Sequence, residues 1–342
     1  MTDVTRLSRR LFLISPLALA ACRFGSDRFE VSGATMGTSF NVVALDPSGR
    51  LHEREVRAAI DGALAEVNRQ MSNWDPASEI SRFNARTGTD AVSVSAALGE
   101  VMDAAEAVHL ASGGRFDTTI GPLIELWGFG APGVTAMPGD AEIAGARARS
   151  GHANTLQVGQ GTLRKMQPDA QVYLAAIGKG YGADRVGRAL EALGVRDYMV
   201  EIGGDLYAAG RNPEGLPWQI GIETPAANRR DLLEIIDVSD LGLASSGDYR
   251  NFFQRDGQRF SHIVDPRTGR PVTHDTASAT VLAENAMLAD AWATALHTMG
   301  KEEGLALAEE QGIAVLFTER SGSADAPRFT TTASTRFKAL TA

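Results

Sequence analysis

The chain has 342 residues, 44% of them hydrophobic and 22% charged, with a formal net charge of −9. That composition supports a full-sized buried core, in one large domain or two smaller ones, and excludes a disordered polymer. An acidic balance with no long basic run argues against a nucleic-acid partner, and such a chain needs a local device, a metal or a helix N-terminus, to hold phosphate.

The first residues read as an export signal. Ser8-Arg9-Arg10-Leu11-Phe12-Leu13 resembles a twin-arginine signature, and Leu11 to Ala21 is a short apolar run broken by Pro16. The run is too short to span a bilayer as mature structure. It ends Leu19-Ala20-Ala21-Cys22, which resembles a bacterial lipobox whose cysteine is diacylated and becomes the mature N-terminus. An ordinary signal peptide with a chance cysteine is the plainer alternative. Cys22 is the sole cysteine, so no intramolecular disulfide can form. Removing residues 1–21 takes away three arginines and one aspartate and brings the net charge to −11. Residues 22–28 read as a tether and 29–342 as the folded region.

Phe29 to Leu45 alternates and carries β-branched and aromatic residues, as a strand pair or bent strand does, with a turn suggested by Gly33 and Gly37. Between Glu53 and Met71, apolar Val56, Ile60, Leu64, Val67 and Met71 recur at three and four residues, the stripe of a helix packed on one face. Ser95 to Ser112 repeats that pattern from a serine cap to a stop at Gly113-Gly114. Ala131 to Gly161 has weak periodicity and reads as a surface helix or loop excursion. Strands are predicted at Tyr198–Ile202, Trp218–Glu223, Arg259–Val264, Ala277–Ala283 and Ile313–Thr318, and helices at Leu288–Met299 and Glu302–Gln311. Without regular βαβ spacing the class is α+β, with mixed or antiparallel sheets and packed helices.

Four segments interrupt this periodicity with residues that let backbone approach a ligand: Gly113 to Pro122, Ala175 to Tyr181, Glu201-Ile202-Gly203-Gly204-Asp205, and Ser245-Ser246-Gly247-Asp248-Tyr249. Each alone is as consistent with turns and caps. Asp290 and Thr294 stand one helical turn apart, so both oxygens lie on one face and suit a small hard cation such as magnesium, which keeps positions open for water and phosphate. The plainer alternative is an exposed aspartate and a threonine bonded to its own backbone.

In their order these segments resemble the FAD:protein FMN transferases of the ApbE family over nearly all of the chain from Gly33 to the last strand. The stretches that carry the resemblance are Ala34-Thr35-Met36-Gly37-Thr38, Met71-Ser72-Asn73-Trp74 through Ser78-Glu79-Ile80 to Asn84, Phe116-Asp117 through Gly121-Pro122-Leu123 to Leu126-Trp127-Gly128-Phe129-Gly130, Gly178-Lys179-Gly180-Tyr181, and Ser261-His262 with Asp265-Pro266. The resemblance implies an ApbE-like, T-fold-related architecture and makes 29–342 the catalytic region. It also implies an exported, lipid-anchored enzyme on the periplasmic side of the cell envelope; the inner membrane is the expected one, with the outer membrane left open because Arg23 after the cysteine gives no clear retention signal. With Mg²⁺, such an enzyme moves FMN from FAD, its substrate, onto a threonine of an acceptor protein and releases AMP.

By the same resemblance, Asp290, Thr294 and an oxygen of Ala176, which can only be its carbonyl, would bind Mg²⁺. Met36, Trp74, Arg115, Phe116, Asp117, Lys179 and Val264 stand where the family contacts FAD. Tyr173 takes the place of a commonly occurring aspartate, and Ala293 that of a second metal-side aspartate found in some members. Fewer anionic ligands should make metal affinity depend on bound FAD. His262 is the candidate general base, since histidine titrates near neutral pH; a buried structural histidine is the alternative. The same site with water as acceptor would hydrolyse FAD to FMN and AMP, and a flavin-binding lipoprotein without chemistry is the reading from another class.

Overall fold

Alternating apolar residues build a single large antiparallel sheet whose eight strands lie side by side in chain order. A computed structural model of the protein describes residues 27–129, 137–226, 231–255, 258–323 and 326–342; the export signal, the lipobox and most of the tether lie outside them. The strands are β1 (Asp27–Thr35), β2 (Thr38–Asp46), β3 (Asp197–Ile202), β4 (Asp205–Ala209), β5 (Leu241–Gly247), β6 (Thr276–Ala283), β7 (Ala314–Ser323) and β8 (Ala326–Ala333). All neighbours are antiparallel, so the sheet is a meander with long insertions between some of its strands.

The expected strand pair is a hairpin closed by Met36 and Gly37, with φ of 49° and 73°, the two-residue turn whose twist matches antiparallel strands. Gly33 is not part of the turn. It lies within β1 opposite Phe40, whose ring would stand 2.7 Å from an added Cβ.

Successive residues of a strand face opposite sides, and here both sides are covered. Ala244, Val281, Val315 and Phe317 pack beneath a helix bearing Ala289, Ala293 and Leu296. Their neighbours Leu243, Leu282 and Leu316 meet Trp218, Ile220 and Phe337 on the other face. Trp218–Glu223 is a strand, as expected, but it pairs with Leu232–Val238 in a separate hairpin rather than joining the main sheet.

Four helices position the site: α1 (Glu53–Met71), α2 (Ala96–Ala111), α3 (Gly178–Ala192) and α4 (Ala286–Gln311). The apolar stripe of α1 is buried at Val56, Ile60, Leu64, Val67 and Met71. Ser95 caps α2 by accepting from the Leu98 amide. The 131–161 excursion contains a helix at Asp140–Ala148, a turn of helix at His152–Thr155 and a strand at Leu156–Gly159; residues 131–136 are outside the described part. Gly300, with φ of 76°, interrupts α4 between the two helices expected there.

The Gly178 to Tyr181 segment reads as a backbone-exposing loop but is the first turn of α3. Its glycines serve close packing: an added Cβ at Gly180 would stand 2.1 Å from the Ala286 carbonyl oxygen of α4. Asp184 of α3 then caps α4, accepting from the Ala286 and Met287 amides at 2.8 and 2.9 Å. Capping bonds of this kind contribute about 1 kcal/mol. Burial pushes the Asp184 carboxyl up to about 6, against those two donors.

Candidate active site

The crossing of α3 and α4 beneath β4 and β5 sets Asp290 and Thr294 of α4 against the first turn of α3 and against β5. Asp290 is 3% exposed, so the carboxylate faces inward. Its Oδ2 accepts from the Gly180 amide at 3.2 Å and lies 3.4 Å from the Lys179 ammonium. One turn on, the Thr294 hydroxyl meets the Ser246 hydroxyl at 2.9 Å. In a regular helix the Gly180 amide would donate to the Ala176 carbonyl. Here it donates to Asp290, and among the described residues no backbone N–H donates to Ala176.

Asp205, which the sequence places only within a glycine-rich segment, completes the cluster. Its Oδ2 accepts from Lys179 at 2.6 Å and the residue is 3% exposed. Burial, and then the facing Asp290 carboxylate, push the Asp205 carboxyl up to about 8. Burial opposes the charge on Lys179, but Asp205 and Asp290 outweigh it and hold the ammonium above its ordinary pKa. Two carboxylates around one ammonium leave room for one further positive charge.

Among the described residues no three His, Cys, Asp or Glu side chains gather as a metal-binding group. A hard cation would instead draw on one carboxylate, one hydroxyl and one uncommitted carbonyl, all oxygen, which is the donor type magnesium takes. The residues present fit that ion.

His262 does not lie in a strand. The expected Arg259–Val264 strand stops at Ser261, and Val264–Asp265 starts a separate pairing with Arg270–Pro271. The break follows from competing bonds: the His262 amide donates to the Asn251 carbonyl at 3.1 Å and the Ile263 amide to the Ser261 hydroxyl at 3.0 Å. The half-buried ring sets Nδ1 3.0 Å from the same Asn251 carbonyl. A carbonyl only accepts, so Nδ1 carries the hydrogen of the neutral ring and Nε2 carries the lone pair. Burial lowers the imidazole's pKa, against that carbonyl and with help from the positive charge of Lys179. Beside it, Phe129, Asn251, Phe252 and Phe253 line an open cavity of about 410 Å³.

The remaining expected residues are held by contacts of their own. Arg115, 6% exposed, pairs with Glu303 and donates to the Thr298 carbonyl at 3.3 Å, with Asp265 3.5 Å away; it joins the turn after His262 to α4. Phe116 is packed in the core with Met102 and Tyr181, and Val264 with Leu123 and Trp127. Asp117 accepts from the Thr119 amide and hydroxyl at 2.7 and 2.6 Å. Met36 packs toward α3, its Cε 2.8 Å from where a Gly182 Cβ would lie. Tyr173 crosses Gly121 and donates to Glu125 at 2.7 Å. Trp74 is 84% exposed, with its ring uncovered.

Lys179 held between two buried carboxylates, with the Thr294 and Ser246 hydroxyls one helical turn on, is set in an α+β frame built round this antiparallel meander. The ApbE family model matches residues 36–317, and the chain belongs to that family. An FAD:protein FMN transferase of Vibrio cholerae is 42% identical over 305 residues, covering 89% of this chain and 91% of the relative. One of Haemophilus influenzae is 39% identical over 337 residues, 95% of each. The solved Flavin Transferase ApbE from Vibrio cholerae aligns with a TM-score of 0.83 at 40% identity, covering 92% of this chain and 99% of the other. The apo flavinyl transferase ApbE of Pseudomonas stutzeri aligns with a TM-score of 0.84 at 36% identity, covering 93% and 98%.

Proposed function

We propose that this chain transfers FMN from FAD to a threonine hydroxyl of an acceptor protein, with magnesium, and releases AMP. The observation that carries the reading is the buried Asp290 carboxylate on the Gly180 amide with the Thr294 hydroxyl one helical turn on, in a chain 42% identical to a protein named FAD:protein FMN transferase. Asp290, Thr294 and the Ala176 carbonyl would hold the magnesium, which supplies positive charge for the phosphate oxygens as negative charge builds on them.

The chain's own groups do the rest. The threonine oxygen bonds to the FMN-side phosphorus, the pyrophosphate P–O bond breaks, and AMP departs with the electron pair. His262 Nε2 takes the hydroxyl proton. Lys179, held between Asp205 and Asp290, is placed to neutralise phosphate charge. Trp74 offers an uncovered aromatic face to a ring of the dinucleotide. Met36, Arg115, Phe116, Asp117, Tyr173 and Val264 shape the walls through the turns they anchor.

Incubating the purified protein with FAD and magnesium, with and without a candidate acceptor, tests this. Covalent flavin on the acceptor with stoichiometric AMP is expected; free FMN and AMP at the same rate in both arms would mean that water is the acceptor and the enzyme a hydrolase.

The protein further sits, in this reading, on the periplasmic side of the inner membrane through lipid on Cys22. The support is the signal and lipobox resemblance of the first 22 residues; no helix among the described residues is long and apolar enough to cross a membrane. Cys22→Ser is expected to move the protein from the membrane to the soluble fraction, and unchanged partitioning into detergent would contradict lipidation.

A further inference from the structure

In the Ser245 to Tyr249 segment, Ser246 meets Thr294 and Asp248 has a second role. Asp248, at the end of β5, is 8% exposed and binds two arginines from different parts of the fold. Arg320 of β7 donates to both carboxylate oxygens at 2.8 and 2.9 Å. Arg259 donates through Nη1 to Oδ2 at 2.9 Å and through Nη2 to the Asp248 carbonyl. Arg259 belongs to the small hairpin of Phe252–Arg255 and Gln258–Ser261, and its guanidinium also covers the Phe252 ring at 4.0 Å. That hairpin runs directly into His262, and the Asn251 carbonyl at its other end accepts from the His262 amide and ring.

Among the described residues the hairpin pairs with no strand of the main sheet. One carboxylate therefore ties it to β7 by a charge-assisted, two-armed bridge, the kind of hydrogen bond that fixes geometry as well as supplying energy. We propose that Asp248 is a positioning residue for flavin transfer: it clamps the hairpin that ends at His262 to the sheet and so sets where the imidazole stands relative to the Asp290–Thr294 face. Ser246, two residues earlier, touches Thr294, so one short segment registers both the metal side and the base side of the site. The inference rests on His262 as the base.

The test uses the full chain and three variants, read by amide hydrogen exchange and by steady-state transfer. Arg259→Gln removes only the hairpin arm of the clamp. It is expected to speed exchange of the amides of residues 251–255 and 258–262 by about tenfold, leaving those of β6 and β7 unchanged. It should also lower kcat by on the order of tenfold to a hundredfold, with KM for FAD within about twofold. Arg259→Lys, which keeps the charge but not the fork, should recover part of kcat. Asp248→Asn leaves two guanidinium groups facing each other without a counter-ion and should exceed Arg259→Gln in both readouts. Unchanged exchange in the hairpin in both variants would overturn the clamp, as would a rise in KM for FAD at constant kcat. Exchange reports on the clamp even if the wild-type chain moves no flavin, so the two readings fail separately.

Discussion

Asp290→Asn is expected to abolish magnesium-dependent flavin transfer while the chain stays folded. The asparagine oxygen can still accept from the Gly180 amide, which now sits 3.2 Å from Asp290 Oδ2, and Lys179 keeps its shorter bond to Asp205 at 2.6 Å. What goes is the anionic member of an otherwise neutral ligand set of hydroxyl and carbonyl. A Lewis-acid contribution of several kcal/mol corresponds to a loss on the order of 10³-fold in turnover. Calorimetric titration with magnesium in the presence of FAD should show binding to the wild type and none to the variant, with thermal midpoints a few degrees apart at most. Wild-type turnover in Asp290→Asn would remove the metal assignment.

His262→Ala should slow transfer by about 10²-fold or more and leave KM for FAD nearly unchanged. The ring contacts the Asn251 carbonyl and the edge of Phe129, with centroids 6.3 Å apart, so its removal does not open the core. The pH profile makes the role specific. A lowered pKa means the ring is the neutral base at pH 7 and gains its proton only on acidification. The rate should therefore be level through neutrality and fall as pH drops through a value below the ordinary histidine range, and this acid limb should be missing in His262→Ala. Equal rates for the two proteins at pH 7.5 would return His262 to a packing role.

Much of the scaffold is legible in the sequence because local pattern and burial agree. The stripe from Val56 to Met71 marks a helix whose bounds are those of α1, and Ser95 marks the start of α2 through its own hydroxyl. The break near Gly300 is readable because glycine takes φ of 76° where other residues strain. The failures have a common cause. Gly178 and Gly180 look like loop residues, yet they lie in a helix, because the reason for glycine is the Ala286 backbone arriving from more than a hundred residues away. Arg259 to Val264 looks like one strand because β-propensity does not see the Asn251 carbonyl that bends it at His262.

Within the site, Asp290 and Thr294 are readable because helical periodicity puts both oxygens on one face whatever else the fold does. Asp205 is not, since nothing local distinguishes its carboxylate from that of any residue ending a hairpin turn. By itself the sequence determined the α+β class, the main helices and the one face of α4 that carries hard oxygen donors, since these follow from spacing a few residues apart. Only the tertiary structure decided that this face is buried, that Lys179 and Asp205 meet it, and that Asp248 ties the histidine hairpin to the sheet. Those contacts join residues from 11 to 111 positions apart, and the long-range members exist only because chain-order strands and the crossing of α3 over α4 close the distance.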